Sequence, residues 1–422
     1  SLFRVLSNRR ESDQSGMQEW LGLPASFAPV DKNMALTLNE WLLTTICSEN
    51  PLNSRELVAS LNPDISHGLK ATESRLTDDF TVYDGNIGPV EPRHDPTHPD
   101  GPVMSSASLE TIGYCPLKYF FKYVLRIKPV ENIESDPSRW MDNMQLGALL
   151  HETFYHFMTG LVSERRHPNV DRDKPKLQRI LADGLAAYSR AVPPPNESAK
   201  RRQSIWLEKS MLVFLVEEEI ASRQWAPLLL EATIGMKNRT EVGSFENPEP
   251  VKLHLTSESA VRVSGKLDRV DEKVDHSPGH FRIIDYKTGS PSSYQDSKNY
   301  RRGKIIQHAI YVKLAQNLMT RGLTGRDGTY DFVYFFPTVR AHGVRIIKYP
   351  KDAILGTAVT QALCDIVSSG AFLATLDGQT CSYCDYSLVC GSGASTAGRS
   401  KDKLDNVSNT SLDNIRKILV NV

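Results

Sequence analysis

Asp285 and Lys287 stand two residues apart in the segment IIDYKTG, and Asp268 precedes them in GKLDRVD. Alternate side chains of an extended strand leave the same face, so a carboxylate and an ammonium at this spacing are presented together. The Ser-Pro-Gly between the two segments can turn the chain and pair them antiparallel. That arrangement gathers two carboxylates and an ammonium in one small volume. Carboxylate oxygens suit Mg²⁺ or Mn²⁺. One or two such ions would polarise a phosphate and lower the pKa of a bound water, while Lys287 orients that water or neutralises charge growing on the phosphate. A D-x-K triplet is by itself an ordinary surface ion pair. This one follows Phe281, Ile283 and Ile284, so the charge emerges at the end of a buried strand.

Three further groups could belong to the same centre. His151 sits beside the apolar stripe Leu146, Leu150, Phe154, Phe157 and Leu161 of the helical segment LGALLHETFYHFMTGLV. It reads either as a satisfied core residue or as an imidazole ligand that tilts preference toward Mn²⁺. Glu231, at the start of LEATIGMK, is a solvated strand residue or an additional carboxylate. Gln307 and Tyr311, four apart, share one helix face just after Tyr300-Arg301-Arg302-Gly303-Lys304. A basic helix start followed by an amide and a phenol is a plausible clamp for phosphate and base. Lys118, Lys122, Arg126 and Lys128 form a second basic face.

Four cysteines bracket this centre: Cys115 far upstream, and Cys381, Cys384 and Cys390 spaced C-x2-C-x5-C. They read as metal or cluster ligands, since six cysteines in 422 residues are too few for a disulfide scaffold. Zinc ribbons bring two close pairs, whereas here one ligand is remote, which favours an iron–sulfur staple over Zn²⁺. Pro116 suits the first position of a helix, so Cys115 falls at its N-cap, where the helix dipole favours an anionic thiolate.

The elements that must hold these groups follow from periodicity. Segments 37–47 and 54–61 are the better helix candidates near the start. EPRHDPTHPDGP has a linker composition. SASLETIGYCPLKYFFKYVLRI predicts two helices broken at Cys115-Pro116, and 169–224 is helical and polar. Strand patterns then occupy LEATIGMK, VKLHLT, AVRVSGKLDRVDE and HFRIIDYKTG. A helix over 304–319, strands YDFVYFFP and GVRIIKYP, and a last long helix AILGTAVTQALCDIVSSG follow. This order predicts an α/β fold, a mixed sheet flanked by helices. The residues after Gly391 are rich in Ser, Asn and Lys and are expected to be loosely held. No apolar run approaches the ~20 residues needed to span a bilayer, and the opening residues SLFRVLSNRRESD lack a secretory core. The absence of an initiator Met suggests a fragment of a longer polypeptide. With 50 basic and 50 acidic residues, any nucleic-acid surface must be a local patch.

SASLETIGYCPLKYFFKYVL, GALLHETF, SGKLDRVD, IIDYKTG, the Q-x3-Y of QHAIY and CSYCDYSLVC, in this order, resemble the RecB-like branch of the PD-(D/E)XK nucleases, above all the iron–sulfur-containing AddB type. The resemblance implies a restriction-endonuclease-like nuclease domain over 79–395, behind a mostly helical extension over 1–78 whose position suggests the end of a helicase-like region, with a tail over 396–422. It implies that His151, Asp268, Asp285 and the backbone carbonyl of Tyr286 bind Mg²⁺ or Mn²⁺. Asp268, Asp285, Lys287, Gln307 and Tyr311 would act in catalysis, and Arg301, Arg302 and Lys304 would contact DNA. Cys115, Cys381, Cys384 and Cys390 would hold a [4Fe–4S] cluster. The implied activity is a metal-dependent DNA exonuclease in end processing and recombinational double-strand break repair. It would act on single-stranded ends beside a helicase/nuclease partner subunit in a bacterial cytoplasm. No G-x4-G-K-[ST] phosphate loop occurs, so this chain is not the ATP motor. The rival readings are a CRISPR-adaptation nuclease of the same fold and a catalytically silent subunit that grips DNA ends.

Overall fold

The structure is a computed structural model that describes residues 29, 31–48, 59–60, 63–129, 136–236, 245–274, 279–295, 300–320, 328–348 and 353–421. The chain divides into two compact units, residues 1–77 and 78–422. The first contains helices Leu38–Ser48 and Pro63–Leu76; most of the helix expected over 54–61 lies outside the described residues. No described helix is long and apolar enough to cross a membrane.

The second unit is built on one mixed sheet. Its strands are β1 (Met104–Ser105), β2 (Trp225–Ile234), β3 (Glu246–Asn247), β4 (Val251–His254), β5 (Ala260–Lys273), β6 (His280–Tyr286), β7 (Thr329–Phe336) and β8 (Val344–Lys348). They run in the order β3-β2-β5-β6-β7-β8, with β1 and β4 paired to the first part of β5. β5 and β6 pair antiparallel, as the turn signal between them predicts, and β6 and β7 pair parallel. The helices are α1 (Ser106–Tyr114), α2 (Pro116–Tyr119), α3 (Asn143–Ser163), α4 (Val170–Ala191), α5 (Glu197–Ala221), α6 (Gln307–Leu318), α7 (Ala353–Ser368), α8 (Gly393–Asp405) and α9 (Asp413–Asn421).

Alternation along β6 and β7 sorts the core into two layers. Phe281, Ile283, Phe332, Tyr334 and Phe336 pack with residues of α1, α6 and α7. Ile284, Tyr286, Val333 and Phe335 face the other way, against α3, α4 and α5. All six residues from Phe281 to Tyr286 are buried, which is the signature of a strand covered on both faces. Asp285 is therefore held inside the protein, on the α6 side.

On the α5 side a buried ionic network ties helix to sheet. Arg269 donates to Glu218 at 2.6 Å and forms a two-pronged contact with Asp271. Arg282 donates to Asp271 at 2.7 and 2.9 Å, and Arg345 donates to Glu218 at 3.0 Å. The guanidiniums hold Glu218 down to about 2 against the effect of its burial. Charges this deep persist only when paired and hydrogen-bonded.

Three expectations are corrected. The residues after Gly391 are not loosely held: α8 and α9 fold onto the unit and bury Leu404, Leu412, Ile415 and Ile418. Leu412, Ile415 and Ile418 recur every three positions among polar neighbours, and α8 buries Thr396, Ser400 and Lys403 beside Leu404. EPRHDPTHPDGP is packed rather than a free linker: Ser368 donates to Asp95 at 2.6 Å, and Arg262 donates to the carbonyl of Gly101. The helix expected over 304–319 begins only at Gln307, because Arg301 and Arg302 take φ of 41° and 60° in a short turn before it. Helical φ is negative, so two left-handed residues there stop the helix from extending backward.

Candidate active site

Tyr286, the last residue of β6, is the hub. Its N–H donates to Asp268 Oδ2 at 2.9 Å, and its carbonyl oxygen lies 3.0 Å from His151 Nε2. His151 Nδ1 is 3.5 Å from the same Asp268 oxygen. His151 is carried by α3, whose start is fixed by a reciprocal cap: Asp142 accepts from the N–H of Gln145 at 2.8 Å and Gln145 returns the bond at 2.9 Å. β5 continues to Lys273, and Asp268 lies mid-strand where β6 runs out beside it.

Asp285 and Lys287 do leave the same face, with Lys287 Nζ 2.7 Å from Asp285 Oδ2. Gln307, at the first turn of α6, bridges them: its Nε2 donates to Asp285 Oδ1 at 2.6 Å and its Oε1 accepts from Lys287 at 2.8 Å. Tyr311, one turn on, is buried and interacts with Gln307 and Ser106. Gly265 lets this helix lie close to β5, since a Cβ there would meet Leu314 at 2.8 Å and Tyr311 at 3.1 Å. The four groups read from the sequence as a centre, together with Gln307 and Tyr311, are thus brought together.

Glu231 joins them. Its neighbours Leu230 and Ala232 pair with Arg269 and Leu267, which leaves Glu231 opposite Asp268. Its φ of 51° is in the left-handed region, rare for a residue with a side chain. Ligand atoms of His151, Glu231 and Asp268 lie within 4.8 Å of one another, a donor set of imidazole and two carboxylates that fits a divalent cation.

The charges interact strongly. Burial opposes the imidazolium of His151, but Asp268, Asp285 and Glu231 outweigh it and push its pKa up to about 9. Burial works against ionised Asp268, yet His151 and the Tyr286 N–H hold it below the usual carboxylate range. Asp285 goes the other way: burial raises it, Lys287 lowers it, Asp268 raises it again, and the net direction is upward. Lys287 is raised, since the pull of Asp285 exceeds the cost of burial. A cation among these carboxylates would offset both the burial and the Asp268 repulsion that raise Asp285.

Sequence reasoning missed Glu110 on α1. Its carboxylate accepts from the N–H groups of Ile306 and Gln307 at 2.9 and 3.1 Å, so it caps α6 from another element and aims Gln307. A single acidic residue in SASLETIGY carries no local signal for that long-range role. Lys266 was also missed; it ion-pairs with Glu231. Tyr334 lies with its ring 5.8 Å from Lys287 Nζ.

Arg301, Arg302 and Lys304 lie just before α6 in the chain, along a cavity of about 490 Å³ that Tyr114, Asp377 and Ile418 also line. Lys304 pairs with Asp377 at 3.1 Å and lies 5.4 Å from the Tyr114 ring. α1 and the 301–303 turn touch closely, since a Cβ on Gly113 would fall 2.3 Å from the Gly303 carbonyl oxygen.

Cys115 caps α2 as expected, its Sγ accepting from the Lys118 N–H at 3.4 Å. Burial pushes its thiol up to about 12, with Cys390 and Cys384 adding to the effect. Cys115 is therefore near the C-terminal trio although the chain between them is long. Cys381, Cys384 and Cys390 are half-buried. Tyr386 between them donates to the carbonyl of Ile127 at 2.8 Å, and Lys118 lies 3.7 Å from Asp385, which pins that loop against α2.

Comparison with known proteins agrees with this geometry. The chain is 28% identical over 237 residues to an ATP-dependent helicase/deoxyribonuclease subunit from Clostridium kluyveri (strain NBRC 12016), covering 55% of this chain and 19% of that protein. It is 30% identical over 203 residues to the protein of the same name from Carboxydothermus hydrogenoformans, covering 45% of this chain and 16% of the relative. The protein of that name from Alkaliphilus oremlandii (strain OhILAs) is 24% identical over 219 residues, covering 50% of this chain and 18% of the relative. The chain thus spans less than a fifth of the length of these relatives. A family profile, the PD-(D/E)XK nuclease superfamily, matches residues 103–391, from just before β1 to just past Cys390. With that match covering more than half of its length and the whole of the centre around Asp285 and Lys287, the chain belongs to the PD-(D/E)XK nuclease superfamily.

Proposed function

We propose that this chain is the nuclease module of a DNA end-processing complex, and that it hydrolyses phosphodiester bonds of single-stranded DNA with Mg²⁺ or Mn²⁺. The observation that carries the reading is the Asp285–Lys287–Gln307 bridge set against His151 and Asp268. In this reading His151, Asp268, Asp285 and the Tyr286 carbonyl hold the divalent ion, with Glu231 as a further donor. The ion supplies Lewis acidity toward the phosphate and a more acidic water. Lys287, kept charged by Asp285, neutralises charge growing on the phosphate. Gln307 holds Lys287 and Asp285 in one orientation, and Tyr311 supports Gln307 from the next turn. Arg301, Arg302 and Lys304 grip the strand as it approaches, acting through phosphates and without base specificity.

Cys115, Cys381, Cys384 and Cys390 are proposed to bind a [4Fe–4S] cluster that closes the nuclease domain, taken as residues 79–395. The donor set fits: one thiol sits at a helix N-cap and three in a short loop pinned beside it. The relatives' shared name joins a helicase to a deoxyribonuclease, which supports recombinational repair beside a partner subunit, in a bacterial cytoplasm.

The test is degradation of an end-labelled single strand by the purified chain with Mn²⁺ or Mg²⁺. Wild type should degrade it and Lys287→Ala should slow the reaction by roughly 10²–10³-fold, the range for losing one charge-stabilising donor. Equal slow loss with both proteins, or loss that persists in EDTA, rules the reading out.

A further inference from the structure

Lys266 stands where the proposed cation should bind. It precedes Asp268 by two residues on β5, so its side chain leaves the same face of the sheet. Its ammonium ion-pairs with Glu231 Oε2, and Glu231 is at the same time one of the three donors gathered with His151 and Asp268. Glu231 lies opposite Asp268 on the neighbouring strand, which brings the two carboxylates together. One buried carboxylate would therefore have to serve both the ammonium and the ion. The members of the ion pair differ in exposure: the Glu231 side chain is 7% exposed and that of Lys266 38%. A lysine is a point charge on a flexible four-carbon stem that can withdraw into solvent, whereas the buried Glu231 side chain has little solvent to move into.

We infer that Lys266 is an internal competitor for the divalent ion: its ammonium occupies Glu231 when the ion is absent and lowers the affinity of the site when the ion is present. An ammonium and a divalent ion that share one carboxylate repel each other across a few ångströms, and in a partly buried site solvent screens this poorly. The role is to position Glu231 and to set metal occupancy. Lys266 would thus keep the ion exchangeable until a phosphate oxygen replaces the competing charge with a ligand. This inference rests on the reading that His151, Glu231 and Asp268 bind a divalent ion.

The test is calorimetric titration of Mn²⁺ into the full chain, without DNA, so the readout is binding and not turnover. Lys266→Met should bind Mn²⁺ about tenfold more tightly than wild type, and Lys266→Arg, which keeps the charge, should stay within about twofold. In a Glu231→Gln background the gain from Lys266→Met should shrink to about twofold or less, because the shared carboxylate is gone. If Lys266→Met does not fold, Lys266→Gln carries the same expectation. Affinity equal to or weaker than wild type in Lys266→Met, or an undiminished gain in the Glu231→Gln background, overturns the inference. His151→Ala separates the two levels. If it abolishes Mn²⁺ binding while Lys266→Met changes nothing, the metal site stands and only the role of Lys266 falls. If wild type binds no Mn²⁺, or His151→Ala binds as wild type does, the metal reading fails and this inference with it.

Discussion

His151 Nε2 lies 3.0 Å from the carbonyl oxygen of Tyr286, so a side chain from α3 and a main-chain oxygen from β6 converge on one point. Without a cation the contact needs a proton on Nε2, which both the imidazolium and the neutral Nε2–H tautomer supply, and the surrounding carboxylates keep the ring charged up to about pH 9. This folded value exceeds the ordinary 6.5, so the charged pair with Asp268 stabilises the ion-free protein fully below about pH 6.5. That contribution fades as pH rises through about 9. A divalent ion requires the neutral ring, so Mn²⁺ binding at pH 7 should release about one proton and should tighten toward pH 9. Titrations in two buffers of different ionisation enthalpy measure the release. Binding without proton release would contradict the role given to His151.

Gln307 holds both ends of the Asp285–Lys287 pair, and Glu110 holds Gln307 by its backbone. Gln307→Ala should leave Mn²⁺ binding within a few-fold of wild type and slow single-turnover cleavage by roughly 10²-fold, the scale of a lost orienting contact. Glu110→Ala should act through the same helix start and also cost about 1–2 kcal/mol in denaturant unfolding, as a lost cap does. A Gln307→Ala enzyme with full rate would show that the bridge is only structural.

Beneath the site, Glu218 accepts from both Arg269 and Arg345. Glu218→Ala leaves the buried Arg269 and the half-buried Arg345 short of a carboxylate, and should destabilise the fold by roughly 3–5 kcal/mol. The midpoint of urea unfolding reads this directly. Because Glu218 stays ionised down to about pH 2, its contribution is present above the ordinary carboxylate range and should survive to strongly acid pH.

Cys115→Ser should remove the broad absorbance near 400 nm that a [4Fe–4S] cluster gives, lower the melting temperature, and weaken DNA binding more than it slows the chemical step. Colourless wild-type protein that holds stoichiometric zinc after anaerobic preparation would overturn the cluster assignment.

Much of the centre was legible because its signals are local. Two residues of strand spacing put Asp285 and Lys287 on one face, and one helical turn puts Gln307 and Tyr311 together. The Ser-Pro-Gly turn signal gave the antiparallel pairing that brings in Asp268. What escaped was non-local or conformational. Glu110 acts on a helix start almost two hundred residues away, and nothing near it in sequence indicates that. Glu231, which the sequence leaves open between a solvated strand residue and an added carboxylate, depends on its pairing opposite Asp268 on a neighbouring strand, which strand periodicity does not show. α8 and α9 escaped because composition outweighed spacing: Leu404, Ile415 and Ile418 are few among Ser, Asn and Lys, yet they bury against the core.

The central claim is that the carboxylates at the end of β6 and the middle of β5 cut DNA through a divalent ion. The most direct test is single-turnover cleavage of a labelled single strand by wild type, Asp268→Ala and Asp285→Ala across a Mn²⁺ series. The account predicts ion-dependent cleavage by wild type, and losses of roughly 10³-fold or more in both variants, which retain their folded circular dichroism. Cleavage by either variant at the wild-type rate, or by wild type without added ion, would contradict it.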